Sequence, residues 1–355
     1  MENNRNFFIT IALSVLILTL WQVFYMNPRI ERQHEAQKIE QQRQEQTKKQ
    51  ATASGGQHGT AEKNTSGQTT TPAPNADVPG QSAPETAASN RAESIAASKR
   101  VRIDTPSLSG SINLTGARID DLGLKHYRET VEKGSPNIDL LKPAGLPDGY
   151  YAEIGFVGND KTGQVPGPTT VWTVDGNPTL TPSTPVTLTY TNDKGLTFKR
   201  TISVDDQYMF TVDDSVTNSG SAPISLSNYG RVTRFNKPED RSSFYIHEGM
   251  VGVTGKEGLE QIKYSKMEEE KQVTPGKSTD GWLGITDKYW AVALVPSDKQ
   301  PFQPHFNYFG DGRPRYQSDY LTDPFSVAPG QTANLESLLF AGAKQVGTIN
   351  AYENE

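Results

Sequence analysis

Side chains able to do acid–base or metal chemistry are few in this chain. There are five histidines: His34, His58, His126, His247 and His305. His34 and His58 stand in polar, low-complexity sequence that cannot fold around a site. His126, His247 and His305 are far apart, with none of the H-x-H or H-x-x-x-H spacings that put two imidazoles on one metal. None lies next to a carboxylate pair that would orient it as a general base. Carboxylates do cluster, at Asp205-Asp206, Asp213-Asp214 and Glu268-Glu269-Glu270. Adjacent residues on a strand point to opposite faces, so these runs read as turn and solvated-face residues rather than a shared acid–base site.

Other chemistries fall away in the same manner. Cysteine is absent, which excludes thiolate catalysis, disulfides and cysteine-based zinc sites. Gly276-Lys277-Ser278 resembles the end of a phosphate loop, but the first glycine of that motif would fall on Lys271. No G-x-S-x-G elbow occurs. The net charge of −6 argues against a broad nucleic-acid surface. No catalytic, cofactor-binding or metal-binding residue is assigned, and the chain reads as a non-enzyme. The aromatic residues Tyr150, Tyr151, Trp172, Phe244, Tyr245, Phe306, Tyr308 and Tyr316 could stack on sugars, although strand spacing places most of them in a core.

The elements that would position any site are strands. From Lys99 onward, short alternating runs recur between Gly, Pro, Asn and Asp. Examples are 111–114, 186–190, 198–204, 208–216, 224–229, 302–308 and 331–340, a period of two that marks antiparallel sheets. Asn192-Asp193-Lys194-Gly195 supplies a hairpin turn. Trp290 to Val295 is continuously apolar, so it reads as a strand buried on both faces with Trp290 in the core. Leu259 to Lys271 is the one credible helix, and Gly342 to Glu355 loses the strand pattern. The arrangement fits one large β-sandwich or two smaller sheets.

Ahead of this lies different sequence. Phe7 to Met26, FFITIALSVLILTLWQVFYM, carries no charge over the length a helix needs to cross a bilayer, with Trp21, Phe24 and Tyr25 at one end. Asn27-Pro28-Arg29-Ile30 offers no small-residue cleavage site, which favours an uncleaved anchor over a signal peptide. Residues 29–50 are rich in Gln, Glu, Lys and Arg without an apolar stripe. From Ala51 to Ser98 the composition turns to Thr, Ser, Ala, Gly, Pro and Gln, a tether that cannot bury enough surface to fold. Arg29, Arg32, Lys38 and Arg43 outnumber the single Arg5 before the span, and a count of positive residues alone would put the N-terminus outside.

Several stretches carry a family resemblance. A short tail with Arg5-Asn6, a span ending in Trp21-Gln22 and a low-complexity tether precede the β-rich region. Within that region stand Leu196-Thr197-Phe198-Lys199-Arg200-Thr201 and Asp280-Gly281-Trp282-Leu283-Gly284. Tyr289-Trp290-Ala291-Val292-Ala293-Leu294-Val295-Pro296 and Ala328-Pro329-Gly330-Gln331 follow. In this order they resemble the YidC membrane protein insertases of Gram-negative bacteria. The resemblance implies a mainly β fold, a β-supersandwich like that of galactose mutarotases. It implies a tail at 1–6 in the cytoplasm, overruling the charge count, and a signal anchor at 7–26. A stalk and tether at 27–98, a periplasmic domain at 99–345 and a connection from 346 to 355 toward a C-terminal membrane region would follow. It also implies a place in the bacterial inner membrane, in contact with its lipid. The implied partners are the Sec translocon with SecD/SecF and nascent membrane proteins, and no cofactor is implied. A membrane-anchored sugar-binding or mutarotase-like domain, or a structural adaptor, is the alternative that the residues leave open.

Overall fold

The computed structural model describes residues 90–238, 246–255, 258–298, 300–310 and 312–352. The chain divides between Gln68 and Thr69, and every described residue lies in the second unit. The anchor expected at 7–26, the stalk and most of the tether lie outside the described residues, as do Phe244 and Tyr245. No helix among the described residues is long and apolar enough to cross a membrane.

Helix α1 (Arg91–Ala96) opens the described chain, inside the stretch read as tether. The Asn90 side chain caps it by accepting from the Glu93 N–H at 2.9 Å. Arg91 ties it to the sheet through ion pairs with Asp121 and, at 3.1 Å, Asp139.

Strands follow in the order β1 (Arg100–Asp104), β2 (Leu108–Asn113), β3 (Arg118–Arg128), β4 (Asn137–Leu141), β5 (Tyr150–Val157), β6 (Thr173–Val174) and β7 (Thr179–Leu180). Next come β8 (Val186–Thr191), β9 (Leu196–Val204), β10 (Met209–Asn218), β11 (Ile224–Phe235), β12 (Gly249–Thr254) and β13 (Leu259–Lys263). After helix α2 (Tyr264–Glu270) stand β14 (Gln272–Val273), β15 (Gly281–Thr286), β16 (Trp290–Val295) and β17 (Phe302–Phe309). The chain closes with β18 (Arg315–Thr322), β19 (Phe325–Val327), β20 (Thr332–Ala343) and helix α3 (Val346–Tyr352).

Two sheets form a β-supersandwich, as the resemblance implied; of the two arrangements the alternation left open, it is the single large sandwich. The larger runs β14-β17-β18-β11-β5-β3-β2-β1-β7, with β19 beside β11 and β4 beside β3. The smaller runs β13-β12-β15-β16-β20-β10-β9-β8-β6. One apolar core fills the space between them, because alternate residues of each strand turn inward. On β9 these are Leu196, Phe198, Ile202 and Val204. The expected hairpin joins β8 to β9: Gly195 takes φ +79°, and the Asn192 side chain accepts from the N–H groups of Lys194 and Leu196, each at 3.0 Å.

Three readings are corrected. The segment 259–271 is a strand and then a short helix, because β13 alternates exposed and half-buried residues along β12 before Tyr264 and Met267 turn into the core. On β16 only Val292, Ala293 and Leu294 are buried, and Trp290 is half-buried at the strand's start against the Tyr127 ring. Asp214 is no solvated-face residue. It accepts from Arg200 Nε at 2.8 Å and Nη2 at 2.7 Å inside the sandwich, while its neighbour Asp213 is exposed. Arg200 Nη1 donates to the Ile154 carbonyl of the facing sheet at 2.7 Å, and its guanidinium lies over the Trp172 ring.

Candidate functional site

Strand β5 is buried along nearly its whole length on both faces, so its outward residues are enclosed as well. Its register with its neighbours builds a row across five strands. Ile119 pairs with Ala152, which sets Arg118 beside Glu153; Glu153 pairs with Arg231, Arg231 with Asp319, and Asp319 with His305. The row reads Arg, Glu, Arg, Asp, His. Cross-strand neighbours on one face stand close enough for side chains to pair, so alternating charge along the row is stabilising.

Glu153 accepts from Arg118 Nε at 2.5 Å, from Arg231 Nη2 at 3.3 Å and from the Tyr229 hydroxyl at 2.7 Å. Burial pushes its carboxyl up, but the fields of Arg231 and Arg118 outweigh burial and hold it below its ordinary range. Burial, and then the Glu153 charge, raises the Tyr229 phenol well above its usual value, so it remains a donor. Asp319 accepts from Asn307 at 2.9 Å and Gln317 at 2.8 Å, and its other oxygen lies 3.1 Å from His305 Nδ1. His305 is therefore oriented by a carboxylate, although none lies beside it in the sequence. The pairing escapes sequence reading because 14 residues and a strand reversal separate the two.

The other candidates are not gathered. His126 is exposed on β3, and His247 Nε2 lies 2.8 Å from the Met250 carbonyl. No cluster of three or more His, Asp or Glu residues able to hold a metal occurs among the described residues. Asp205 caps its own turn by accepting from the Gln207 and Met209 N–H groups, and the Tyr352 hydroxyl of α3 donates to its other oxygen. Glu268 accepts from the Tyr316 hydroxyl and, at 3.0 Å, from Lys237. Ser278 bridges to Phe302 in antiparallel fashion, and Lys277 pairs with Asp323, so 276–278 is a sheet-edge loop. Tyr150, Tyr151, Trp172, Phe306 and Tyr316 are core residues, as strand spacing indicated.

A cleft of about 320 Å³ opens beside Tyr150, Arg234, Asp287, Glu248, Lys288 and Trp290. Its floor is a saturated ion pair. Arg234 pairs with Asp287, which also accepts from the Tyr264 hydroxyl at 3.1 Å, and the Arg234 guanidinium stacks on Tyr150. The Tyr150 hydroxyl donates to the Ile285 carbonyl of the opposite sheet at 3.2 Å. These polar groups hold the two sheets together, and burial keeps both phenols protonated.

Residues 100–355 match the family model described as the YidC periplasmic domain. The chain belongs to that family. It is 63% identical over 355 residues to a membrane protein insertase YidC of Mesorhizobium japonicum, covering 100% of this chain and 57% of that protein. Proteins of the same name from Rhizobium meliloti and Brucella melitensis biotype 1 are 56% and 55% identical over 353 and 356 residues. They cover 99% and 100% of this chain, and 56% and 58% of their own lengths. The chain thus spans a little over half the length of the curated relatives it matches. Among solved structures, a galactose mutarotase related enzyme from Lactobacillus acidophilus aligns with TM-score 0.47 at 11% identity, over 70% of this chain and 99% of its own. A galactose mutarotase-like protein from Lactobacillus casei gives 0.46 at 12%, over 68% and 100%.

The charge row has a pH signature. Because the folded carboxyl of Glu153 titrates below its ordinary value of 4.5, it contributes stability above that value and loses it as pH falls through the folded value. Glu153→Gln removes this contribution. Urea unfolding should therefore show a wild-type advantage that is largest near pH 6 and shrinks toward about pH 3. A gap that stays constant over that range would mean that Glu153 is not held ionised by its arginines.

Proposed function

We propose that this chain is the anchor and periplasmic portion of a membrane protein insertase of the bacterial inner membrane. The observation that carries the reading is the 63% identity, over the whole chain, to a relative named as such an insertase. In this reading residues 7–26 span the membrane with 1–6 in the cytoplasm, and 27–98 tether the sandwich, 99–345, on the periplasmic side. Residues 346–355 begin the connection toward the membrane region that moves substrates. Placed there, the sandwich can meet partners beside the anchor. Those partners are inner-membrane lipid, the Sec translocon with SecD/SecF and nascent membrane proteins. The sandwich serves as a binding body and not as an enzyme.

Protease added to spheroplasts of Gram-negative cells expressing the chain should remove the sandwich and leave a short membrane-bound fragment ending near Asn27. A photo-crosslinker at the exposed ring of Tyr289 or at Leu259 should retrieve Sec components. A sandwich that resists external protease, or that is released as a soluble protein from untreated cells, would overturn the topology. Crosslinks confined to lipid would remove the Sec partners from it.

A further inference from the structure

The cleft beside Tyr150 holds about 320 Å³, within the range of about 300–1,000 Å³ that small-molecule sites occupy. Its walls come from where β3 and β11 end and β5 and β16 begin, so it opens at one end of the sandwich. The wall charges do not cancel. Lys142 pairs with Asp148, Arg234 with Asp287, and Asp139 with Arg91 of α1. Glu129, Glu248 and Lys288 enter no ion pair among the described residues. Glu248 accepts the Lys288 N–H at 3.0 Å, and the Lys288 ammonium lies over the Tyr289 ring. Trp290 completes the wall, edge-on to both Tyr127 and Tyr289.

The rim around this cleft is apolar. Val131, Ile246, Tyr289 and Val346 are four of the six large hydrophobic side chains exposed among the described residues. Val131 follows Glu129 by two positions, and Ile246 precedes Glu248 by two. Tyr289 stands between Lys288 and Trp290. Val346 follows Lys344, whose N–H donates to the Tyr289 carbonyl at 2.9 Å and whose ammonium donates to Thr286 Oγ1 at 2.9 Å. The other two lie elsewhere: Leu259 pairs with Val253, at the far end of β12 from Glu248, and Val171 bridges to Thr115. Single exposed apolar residues are ordinary, but four on the segments around one cleft mark a contact surface. Tyr and Trp beside a lysine suit the interface of a bilayer, where the rings sit at headgroup depth and the ammonium reaches phosphate. Two free carboxylates against one free lysine repel a purely anionic headgroup. They suit one that carries an ammonium beside its phosphate.

We propose that this end of the sandwich docks on the bilayer, with the headgroup of a zwitterionic phospholipid, phosphatidylethanolamine, seated in the cleft. Its ammonium donates to Glu248 and Glu129 beside the Trp290 ring, and its phosphate accepts from Lys288. Val131, Ile246, Tyr289 and Val346 enter the lipid around it. The inference rests on the membrane placement proposed above, in which the chain leaves the sandwich at 346 toward the membrane; it adds the face and the lipid chemistry.

The chain has no cysteine, so a single introduced one can carry a nitroxide at a chosen position. The full chain is placed in nanodiscs of phosphatidylglycerol alone, or of phosphatidylglycerol with an excess of phosphatidylethanolamine. Labels go on Val131→Cys, Ile246→Cys, Tyr289→Cys and Val346→Cys, with Val171→Cys and Leu259→Cys as controls. In the ethanolamine discs the four rim labels should collide more with dissolved oxygen than with an aqueous nickel chelate, and the controls should show the reverse. In phosphatidylglycerol alone the rim labels should return toward water. Glu129→Gln combined with Glu248→Gln should abolish this difference between the two discs, since both changes lie in open positions and remove the partners of the ammonium. Rim labels as aqueous as the controls in both discs would overturn the docking. Equal immersion in both discs, or a difference that survives the double change, would overturn the headgroup site. Discs that fail to take up the chain would count against the anchor at 7–26 instead. The labels are then read on vesicles of the same two compositions, where the same outcomes decide.

Discussion

Asp214→Ala is expected to cost about 3–5 kcal/mol of folding stability, because it strands the Arg200 guanidinium between the two sheets. The side chains of the pair are 2% and 4% exposed, so water cannot take over the lost carboxylate. Burial works against the Arg200 charge, yet the field and hydrogen bonds of Asp214 raise its pKa overall. Without that partner the charge must be neutralised or dragged to the surface, and moving it would also break the bond to the Ile154 carbonyl. Arg200→Met combined with Asp214→Leu should recover most of the loss, since removing both charges leaves an apolar contact of similar volume. Urea unfolding of the single and double variants checks this. Equal destabilisation by both would show that the residues matter for shape alone.

Trp172→Ala should cost about 3–5 kcal/mol, and Trp290→Ala clearly less. Trp172 is 2% exposed, packs near Tyr190 and carries the Arg200 guanidinium over its face, so its removal opens a cavity and strips a stacked cation. Trp290 is half-buried and rests edge-on against Tyr127 with centroids 5.0 Å apart, where solvent can fill the space left behind. Thermal melts of the two variants side by side should therefore rank Trp172→Ala as the more damaging. The reverse order would mean that the start of β16 is enclosed more tightly than its packing shows. Coupling between Trp172→Ala and Asp214→Ala should be evident in a double-variant cycle, because both act on Arg200.

Much of the fold is legible because a strand writes its own period. The alternation at 198–204 places Phe198 and Ile202 inward whatever the partner strand is, and the Asn192–Gly195 turn closes locally. Apolar runs are less informative, since position within a strand decides burial. Trp290 shares a run with Val292, but it stands where β16 begins. Polar residues at inward positions are less legible still. Arg200 occupies a core site on β9 and reads as an interruption until Asp214 is seen across the β9–β10 pair.

The lack of cysteine, the absence of local metal or nucleophile motifs, the β class and the hairpin turn at 192–195 followed from residue type and spacing alone, because each depends on neighbours a few positions away. The row Arg118, Glu153, Arg231, Asp319, His305 was decided only by the tertiary structure. Its members come from five strands whose adjacency is set by which sheet edges pair, and pairing is a long-range choice governed by the shared core. Each residue alone looks like an ordinary charge on a strand. Only when β3, β5, β11, β18 and β17 lie side by side do their charges alternate and fall out of water.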